Sequence, residues 1–233
     1  LSIIYFIKDY IALKFNFNYS KLIIFQGVSM ILYTSSVFIL NYFDTLMINQ
    51  SIGAQAAGLY SFAYKIGTIY YGLIQSFQLG FLSKYNQLLH KKDYDGISEQ
   101  LKSILKLITL ITLGFILFSP EMGRLLSSKN EFNDALILSP IIILGYYLLF
   151  IFDLYNVSLF QAKKNMIITF VILSVGILNI VLNKLFIPVY GYKIAAINTL
   201  VSFFVMFVLG KLSTHFMGIF SLKVKFFTFF MIL

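Results

Sequence analysis

The chain has 233 residues, of which 59% are hydrophobic and only 12% are charged, and it contains no cysteine. Soluble domains carry about 25% charged residues, so the ionised groups here are too few to cover a water-soluble globule. The composition excludes a soluble enzyme, a disordered segment and a disulfide-stapled secreted module. It predicts an all-α fold, a polytopic membrane helix bundle.

The net charge of +9 does not indicate a nucleic-acid partner. The cations lie in short clusters between long uncharged stretches, as in the loops of a membrane protein, and not along one face. We therefore expect the lipid bilayer, and no nucleic acid, as the partner of this surface.

Six stretches are candidates for spanning helices, which need about 20 mostly apolar residues. The sixth is short but uncharged, and none shows the regular alternation of a membrane strand. In chain order the predicted spans are residues 22–48, 56–83, 104–120, 135–159, 166–187 and 194–210.

The loops between these spans differ strongly in charge. Spans with short connections alternate in direction, and cytoplasmic loops carry the excess of Lys and Arg. Thirteen cations fall on one side, and four fall on the other, namely Arg124, Lys129, Lys184 and Lys193. The first side is predicted to be cytoplasmic. It includes the polar connection 84–106, which we expect to hold an interfacial helix leading into the third span.

Three parts are predicted along the chain. Residues 1–21 are expected to be the end of a preceding helix and a cytoplasmic linker, and residues 22–212 a six-helix transmembrane lobe. Residues 213–233 are expected to be a cytoplasmic connection and the start of a further hydrophobic helix. Both ends lie in apolar stretches, so we expect the chain to be a piece of a longer protein.

The second predicted span has a polar face. Lys65 lies beside a narrow polar stripe, which at 100° per residue consists of Tyr60, Tyr64, Gly67, Thr68, Tyr71, Gln75 and Gln78. A charged group at membrane depth costs about 2.5–3.5 kcal/mol on insertion scales. We therefore expect this face to border a water-filled cavity or another polar helix face.

Asp44, on the first span, lies in the same half of the membrane as Lys65. Two interpretations stay open. In one, Asp44 and Lys65 neutralise each other, or Lys65 reaches the interface alone. In the other, both belong to a cationic, tyrosine-lined cavity.

The remaining polar groups in the spans have simpler interpretations. Asp153 is predicted to be an interfacial carboxylate near Lys163 and Lys164. Asn179 and Asn183 are four residues apart on the fifth span, and we expect them to make hydrogen bonds between helices.

Motifs for catalysis or metal binding are not found in the sequence. His90 and His215 have no partner at metal-ligand spacing. There is no Gly-rich phosphate loop, HExxH, GxSxG or carboxylate dyad, so no catalytic residues, metal or cofactors are expected.

Two runs of sequence resemble a known family. Residues 41–48 and 57–66 are similar to the start of the C-terminal half of bacterial polysaccharide flippases of the Wzx type. These belong to the multidrug/oligosaccharidyl-lipid/polysaccharide exporter superfamily. The later positions that resemble helices eleven and twelve of that family are 161–164, 178–179, 183, 185–188, 191 and 195–196. Asn41 stands where many relatives have arginine, and Ile194 where a second glycine is usual.

The resemblance implies one six-helix lobe of a two-lobe transporter, with the N-terminal lobe missing from this chain. The family moves polyprenyl-pyrophosphate-linked oligosaccharide across the bacterial cytoplasmic membrane by alternating access, for surface polysaccharides such as O-antigen in lipopolysaccharide. Such a cavity needs cations for pyrophosphate and aromatic or amide groups for sugar. Lys65 and Arg124 would supply the charge, beside Asp44, and the sugar contacts would come from Tyr60, Tyr64, Tyr71, Gln75 and Gln78.

Other functions stay open. One is a drug or metabolite antiporter of the same superfamily, in which Asp44 binds the coupling ion, a proton or sodium. Another is a membrane-embedded lipid or sugar transferase, for which Asp153 is the available carboxylate. A purely structural membrane subunit is the third.

Overall fold

A computed structural model describes residues 17–127 and 132–217 of the chain. Over those residues it is helical, which confirms the all-α class. The helices are α1 (Phe17–Ser51), α2 (Ala54–His90), α3 (Tyr94–Leu126), α4 (Asn133–Leu136), α5 (Ser139–Gln161), α6 (Asn165–Tyr190) and α7 (Lys193–Phe216). Most of the predicted linker 1–21 and of the predicted segment 213–233 lies outside the described residues.

Five segments of the described chain are long and apolar enough to cross a membrane: Ile31–Ser51, Tyr94–Leu126, Asn133–Gln161, Asn165–Tyr190 and Lys193–Phe216. The chain is therefore a multi-pass membrane protein. The polar helix α2 is not among the five, although its 37 residues extend about 55 Å at the α-helical rise. Since α2 packs against α1, α3 and α5, it belongs to the same bundle.

Helix α5 forms the centre of the lobe. Every residue from Gly145 to Leu159 is buried, including the rings of Tyr146, Tyr147 and Phe150. Helices α2, α3 and α7 pack around α5, while α1 packs on α6 and α6 on α7. A helix that is mostly apolar around its axis is suited to this central position.

Two glycines lie at helix ends, Gly53 directly before α2 and Gly191 directly after α6. Gly53 has a φ of 123° and Gly191 a φ of 79°, in the left-handed region that residues with a Cβ atom rarely adopt. Pro188 does not end α6, which continues to Tyr190.

The connection between α2 and α3 is much shorter than residues 84–106. Both helices extend past their apolar parts, and only residues 91–93 separate them. Asp93 Oδ1 accepts a hydrogen bond from the Gly96 N–H at 2.9 Å and so caps α3. The segment that leads into the third span is helical and forms the first turns of α3, and its interfacial position stays a prediction.

Candidate functional site

An open groove of about 820 Å³ lies between α1 and α2, and we call it the lysine groove. Lys65 is exposed there, and it is the only charged residue among the described residues that line the groove. The polar and aromatic walls are formed by Asn41, Tyr42, Thr45, Ser61, Tyr64, Thr68, Tyr71 and Tyr146. The groove therefore combines one cation with hydroxyl, amide and ring surfaces.

A second groove, of about 370 Å³, lies nearer the His90 end of α2, and we call it the aspartate groove. Asp153 of α5 is the only charged residue among its described lining residues. Its other polar lining residues are Tyr33, Tyr71, Gln75, Gln78, Asn86, Asn156 and Gln161. By the predicted orientation, this groove faces the cytoplasmic half of the membrane.

Tyr71 lines both grooves. Its ring stacks on Tyr146, with centroids 4.6 Å apart and an interplanar angle of 21°. A small cavity of about 20 Å³ lies between the grooves and is lined by Tyr33, Asn41, Tyr71 and Asp153 among others. The polar face of α2 thus borders two adjoining grooves along one wall of the lobe.

Asn41 positions two of the tyrosines at this wall. Its Oδ1 atom accepts hydrogen bonds from the hydroxyls of Tyr64 at 3.2 Å and Tyr146 at 3.3 Å. Its Nδ2 atom donates to the Val37 carbonyl at 2.9 Å. A neutral amide therefore stands here, at the position where many relatives of the resembled family have arginine.

Asp44 is fully buried in a separate group of polar side chains, which we call the Asp44 cluster. Its carboxylate accepts hydrogen bonds from Tyr60 at 2.8 Å, from Asn183 Nδ2 at 2.6 Å and from the Thr199 hydroxyl. The cluster is completed by Asn179 and Asn198, which bond to Asn183 and Thr199. It ties α1 to α2, α6 and α7, and it confirms the hydrogen bonds between helices predicted for Asn179 and Asn183.

The interpretation of Asp44 and Lys65 as a neutralising pair is wrong. Asp44 is held inside the bundle by neutral partners, whereas Lys65 is exposed at the lysine groove. Tyr60 and Lys65 are about 140° apart around α2, so the side of the helix that reaches Asp44 is not the side that carries Lys65. Asp44 and Tyr60, both predicted to line a cavity, are instead fully buried between the helices.

The prediction of Asp153 as an interfacial carboxylate near Lys163 and Lys164 is also wrong. Only 9% of Asp153 is exposed, and Asn156 Nδ2 donates to its Oδ1 atom at 3.4 Å. Asp153 lies about 12 Å along the axis from the end of α5 at Gln161. The lysines after α5 are therefore too far away to pair with it.

Sequence reasoning placed the remaining cavity residues with mixed results. Tyr64 and Lys65 line the lysine groove, Gln75 and Gln78 line the aspartate groove, and Tyr71 lines both. Arg124 is exposed in the last turn of α3 and is not among the residues that line either groove. The transport roles of all these residues stay predictions.

Sequence reasoning missed the contributions of Asn86, Asn156 and Gln161 to the aspartate groove. Gln161 Nε2 donates to Asn86 Oδ1 at 2.7 Å and so joins the ends of α5 and α2. The spacing of Asp153 and Asn156, three residues apart, was a signal for a shared polar face on an otherwise apolar helix.

The described residues form a multi-pass helical bundle with polar grooves along one wall. The MatE family model matches residues 26–185 of the chain. The match covers more than half of the sequence, and the chain therefore belongs to the MatE family. Its members are exporters of the multidrug/oligosaccharidyl-lipid/polysaccharide superfamily, and they are transporters and not enzymes. Searches of curated proteins and of solved structures give no match.

Proposed function

We propose that this chain is one lobe of a flippase for lipid-linked oligosaccharide in the bacterial cytoplasmic membrane. The cargo would be a polyprenyl-pyrophosphate carrier, which moves from the inner to the outer leaflet by alternating access between this lobe and an N-terminal lobe outside this chain. The observation that carries the proposal is the lysine groove, in which an exposed cation lies beside tyrosine rings.

The cargo explains why such a groove is needed. A charged sugar–pyrophosphate head would lose its hydration in hydrocarbon, at a cost of many kcal/mol, whereas the lipid tail can remain in the bilayer. The Lys65 ammonium offers charge-assisted hydrogen bonds to phosphate oxygens. The faces of Tyr42, Tyr64 and Tyr71 offer apolar surface with polar edges, which suits sugar rings. The groove volume of about 820 Å³ accommodates a head group of this kind.

Asp44 is the candidate site for a coupling ion. Its carboxylate is buried, and none of its three hydrogen-bond partners carries a charge that could neutralise it. Carboxylate, hydroxyl and amide oxygens are ligands that hard cations prefer, and a buried carboxylate can also take up a proton. We therefore assign the coupling ion, sodium or a proton, to the Asp44 cluster. A drug or metabolite antiporter would use the same site with a different cargo.

Substitution of Lys65 in the complete protein tests the flippase function. Lys65→Ala and Lys65→Glu are expected to abolish export of surface polysaccharide while the protein remains at its normal level in the membrane. Lys65→Arg keeps a cation for the phosphate and is expected to retain export. Lys84→Ala is the matched control, since Lys84 is an exposed lysine on the same helix outside the groove. Full export by both the Ala and Glu variants would contradict the proposal.

A second measurement separates the flippase from the antiporter. For a flippase, cells with Lys65→Ala should accumulate lipid-linked oligosaccharide on the inner leaflet, with unchanged susceptibility to toxic organic cations. For an antiporter, the susceptibility should change and the lipid-linked intermediate should not accumulate.

A further inference from the structure

The aspartate groove contains hydrogen-bond acceptors that have no donor. Gln78 Oε1 and Asn156 Oδ1 are buried and have no hydrogen-bond partner among the described residues. Only 6% of Asn156 is exposed. Buried polar atoms are almost always paired in folded proteins, so two unpaired acceptors beside one carboxylate indicate a missing donor.

The arrangement of the amides explains why these oxygens are left free. Asn156 turns its Nδ2 toward Asp153 Oδ1, and the side-chain amides of Gln75 and Gln78 approach the same carboxylate. An amide that turns its NH2 group toward a carboxylate turns its carbonyl oxygen away from it. The groove is therefore lined by a carboxylate and by two amides whose buried carbonyl oxygens have no donor, and its described lining residues include no lysine or arginine.

We propose that the aspartate groove binds a protonated primary amine, carried by an amino sugar of the transported oligosaccharide. This inference rests on the proposed flippase function. An ammonium group has three N–H donors and no acceptor, which matches Asp153 and the free oxygens of Gln78 and Asn156. The rest of the sugar would lie against the rings of Tyr33 and Tyr71.

The size and charge of the groove distinguish this ligand from others. A volume of about 370 Å³, open on one side, is far larger than an inorganic cation needs and lies within the range of small-molecule sites. A phosphate would meet a carboxylate and no cation. The two grooves thus carry opposite charge, Lys65 in one and Asp153 in the other, as a cargo with both a phosphate and an amine requires.

The test measures binding of soluble head-group probes to the purified complete protein at pH 6.5. The probes are D-glucosamine, N-acetyl-D-glucosamine and cyclohexylamine, with binding followed by ligand-detected NMR. Glucosamine is expected to bind about tenfold tighter than N-acetylglucosamine, because acetylation removes the charged hydrogen bond. Equal affinity of the two sugars in the unsubstituted protein would overturn the proposal without the use of any variant.

Variants then assign the preference to the groove. Asp153→Asn is expected to abolish the tenfold preference, and Asp95→Asn, at an exposed carboxylate in the first turn of α3, is expected to keep it. Gln78→Leu removes one free acceptor and should weaken glucosamine binding about threefold, which provides a second variant if Asp153→Asn does not fold. Retention of the full preference in a folded Asp153→Asn protein would overturn the assignment.

Two further comparisons in the same binding experiment identify the kind of molecule that carries the amine. Tighter binding of glucosamine than of cyclohexylamine supports an amino sugar as the ligand. Equal or tighter binding of cyclohexylamine would overturn the assignment of an amino sugar and indicate a free organic amine instead. Displacement of glucosamine by an equimolar amount of sodium chloride, but not of choline chloride, would overturn the proposal in favour of an inorganic cation.

The outcome is separable from that of the proposed function. Lys65→Ala is expected to lose binding of inorganic pyrophosphate and to keep the preference for glucosamine. If Lys65→Ala cells export normally while the preference holds, the flippase proposal fails and the amine site stands. If export is lost while the two sugars bind equally, the amine site fails and the flippase proposal stands.

Discussion

The Asp44 cluster and the two grooves both place polar side chains inside an apolar bundle, but they differ in how far those side chains are paired. In the cluster, the Asp44 carboxylate accepts three hydrogen bonds, and the surrounding asparagines bond to one another. In the grooves, Lys65 is exposed and the Gln78 and Asn156 oxygens have no partner among the described residues.

The difference shows that polarity alone does not identify a ligand site in this lobe. A paired cluster fixes helices relative to one another, because its hydrogen bonds join side chains of different helices. Unpaired groups that border open space retain their capacity to bind a ligand. Stability should therefore depend on the cluster, which is also the proposed site of the coupling ion, and binding of the cargo should depend on the grooves.

The largest expected effect on stability follows from Asp44→Ala. The substitution removes three hydrogen bonds worth roughly 0.6–1 kcal/mol each, so the free energy of unfolding should fall by about 2–3 kcal/mol. Asp44→Asn keeps an acceptor at this position and should lose less than half as much, while still removing the negative charge on which ion coupling depends. Denaturant unfolding of the purified complete protein measures both. An Asp44→Ala protein as stable as the parent would show that the cluster does not hold the helices together.

Substitution of two glycines on α2 should change the stability by a smaller amount, and one of the two serves as a control for the other. A Cβ atom at Gly67 would lie 2.5 Å from Ile142 Cγ2 and 3.2 Å from the Tyr146 ring, whereas one at Gly72 would meet nothing within 4 Å. Gly67→Ala is expected to cost about 1–2 kcal/mol through overpacking of α2 against α5. Gly72→Ala should gain up to about 1 kcal/mol from helix propensity. The same unfolding measurement compares them, and equal shifts would rule out close packing of α2 and α5 at Gly67.

The smallest expected effect on stability comes from Lys65→Ala. Because Lys65 is exposed, its removal should change the free energy of unfolding by no more than about 0.5 kcal/mol. Together with the expected loss of export, this would separate the groove from the cluster. A loss of stability comparable to that of Asp44→Ala would instead give Lys65 a structural role.

Much of the fold was predictable, because long apolar stretches and glycine turns depend on local sequence. The helical spacing of polar residues in α2 likewise predicted which of its side chains share a face, and several of these side chains border the grooves. The angular spacing of Tyr60 and Lys65 was also available from the sequence, but which neighbour each side meets depends on tertiary packing.

Asp153 shows where sequence reasoning ends. Helix α5 is apolar apart from the short polar face of Asp153 and Asn156, so its periodicity gives little indication of which neighbour each side meets. The lysines that follow it in sequence suggested an interfacial partner, but its partners are Asn156 on the same helix and Gln75 and Gln78 of α2, some 75 residues earlier. Long-range pairing of this kind is set by helix packing and leaves little local signal.

The unequal hydropathy of the helices has a consequence for how the lobe is assembled in the membrane. Central helix α5 is apolar enough to partition into lipid by itself, although in the finished lobe it is covered by protein. Helix α2 is not among the segments apolar enough to cross a membrane, and its polar face meets α1 and α5 at the grooves. The face that creates both grooves thus makes α2 the helix whose insertion depends most on the order in which its neighbours are synthesised.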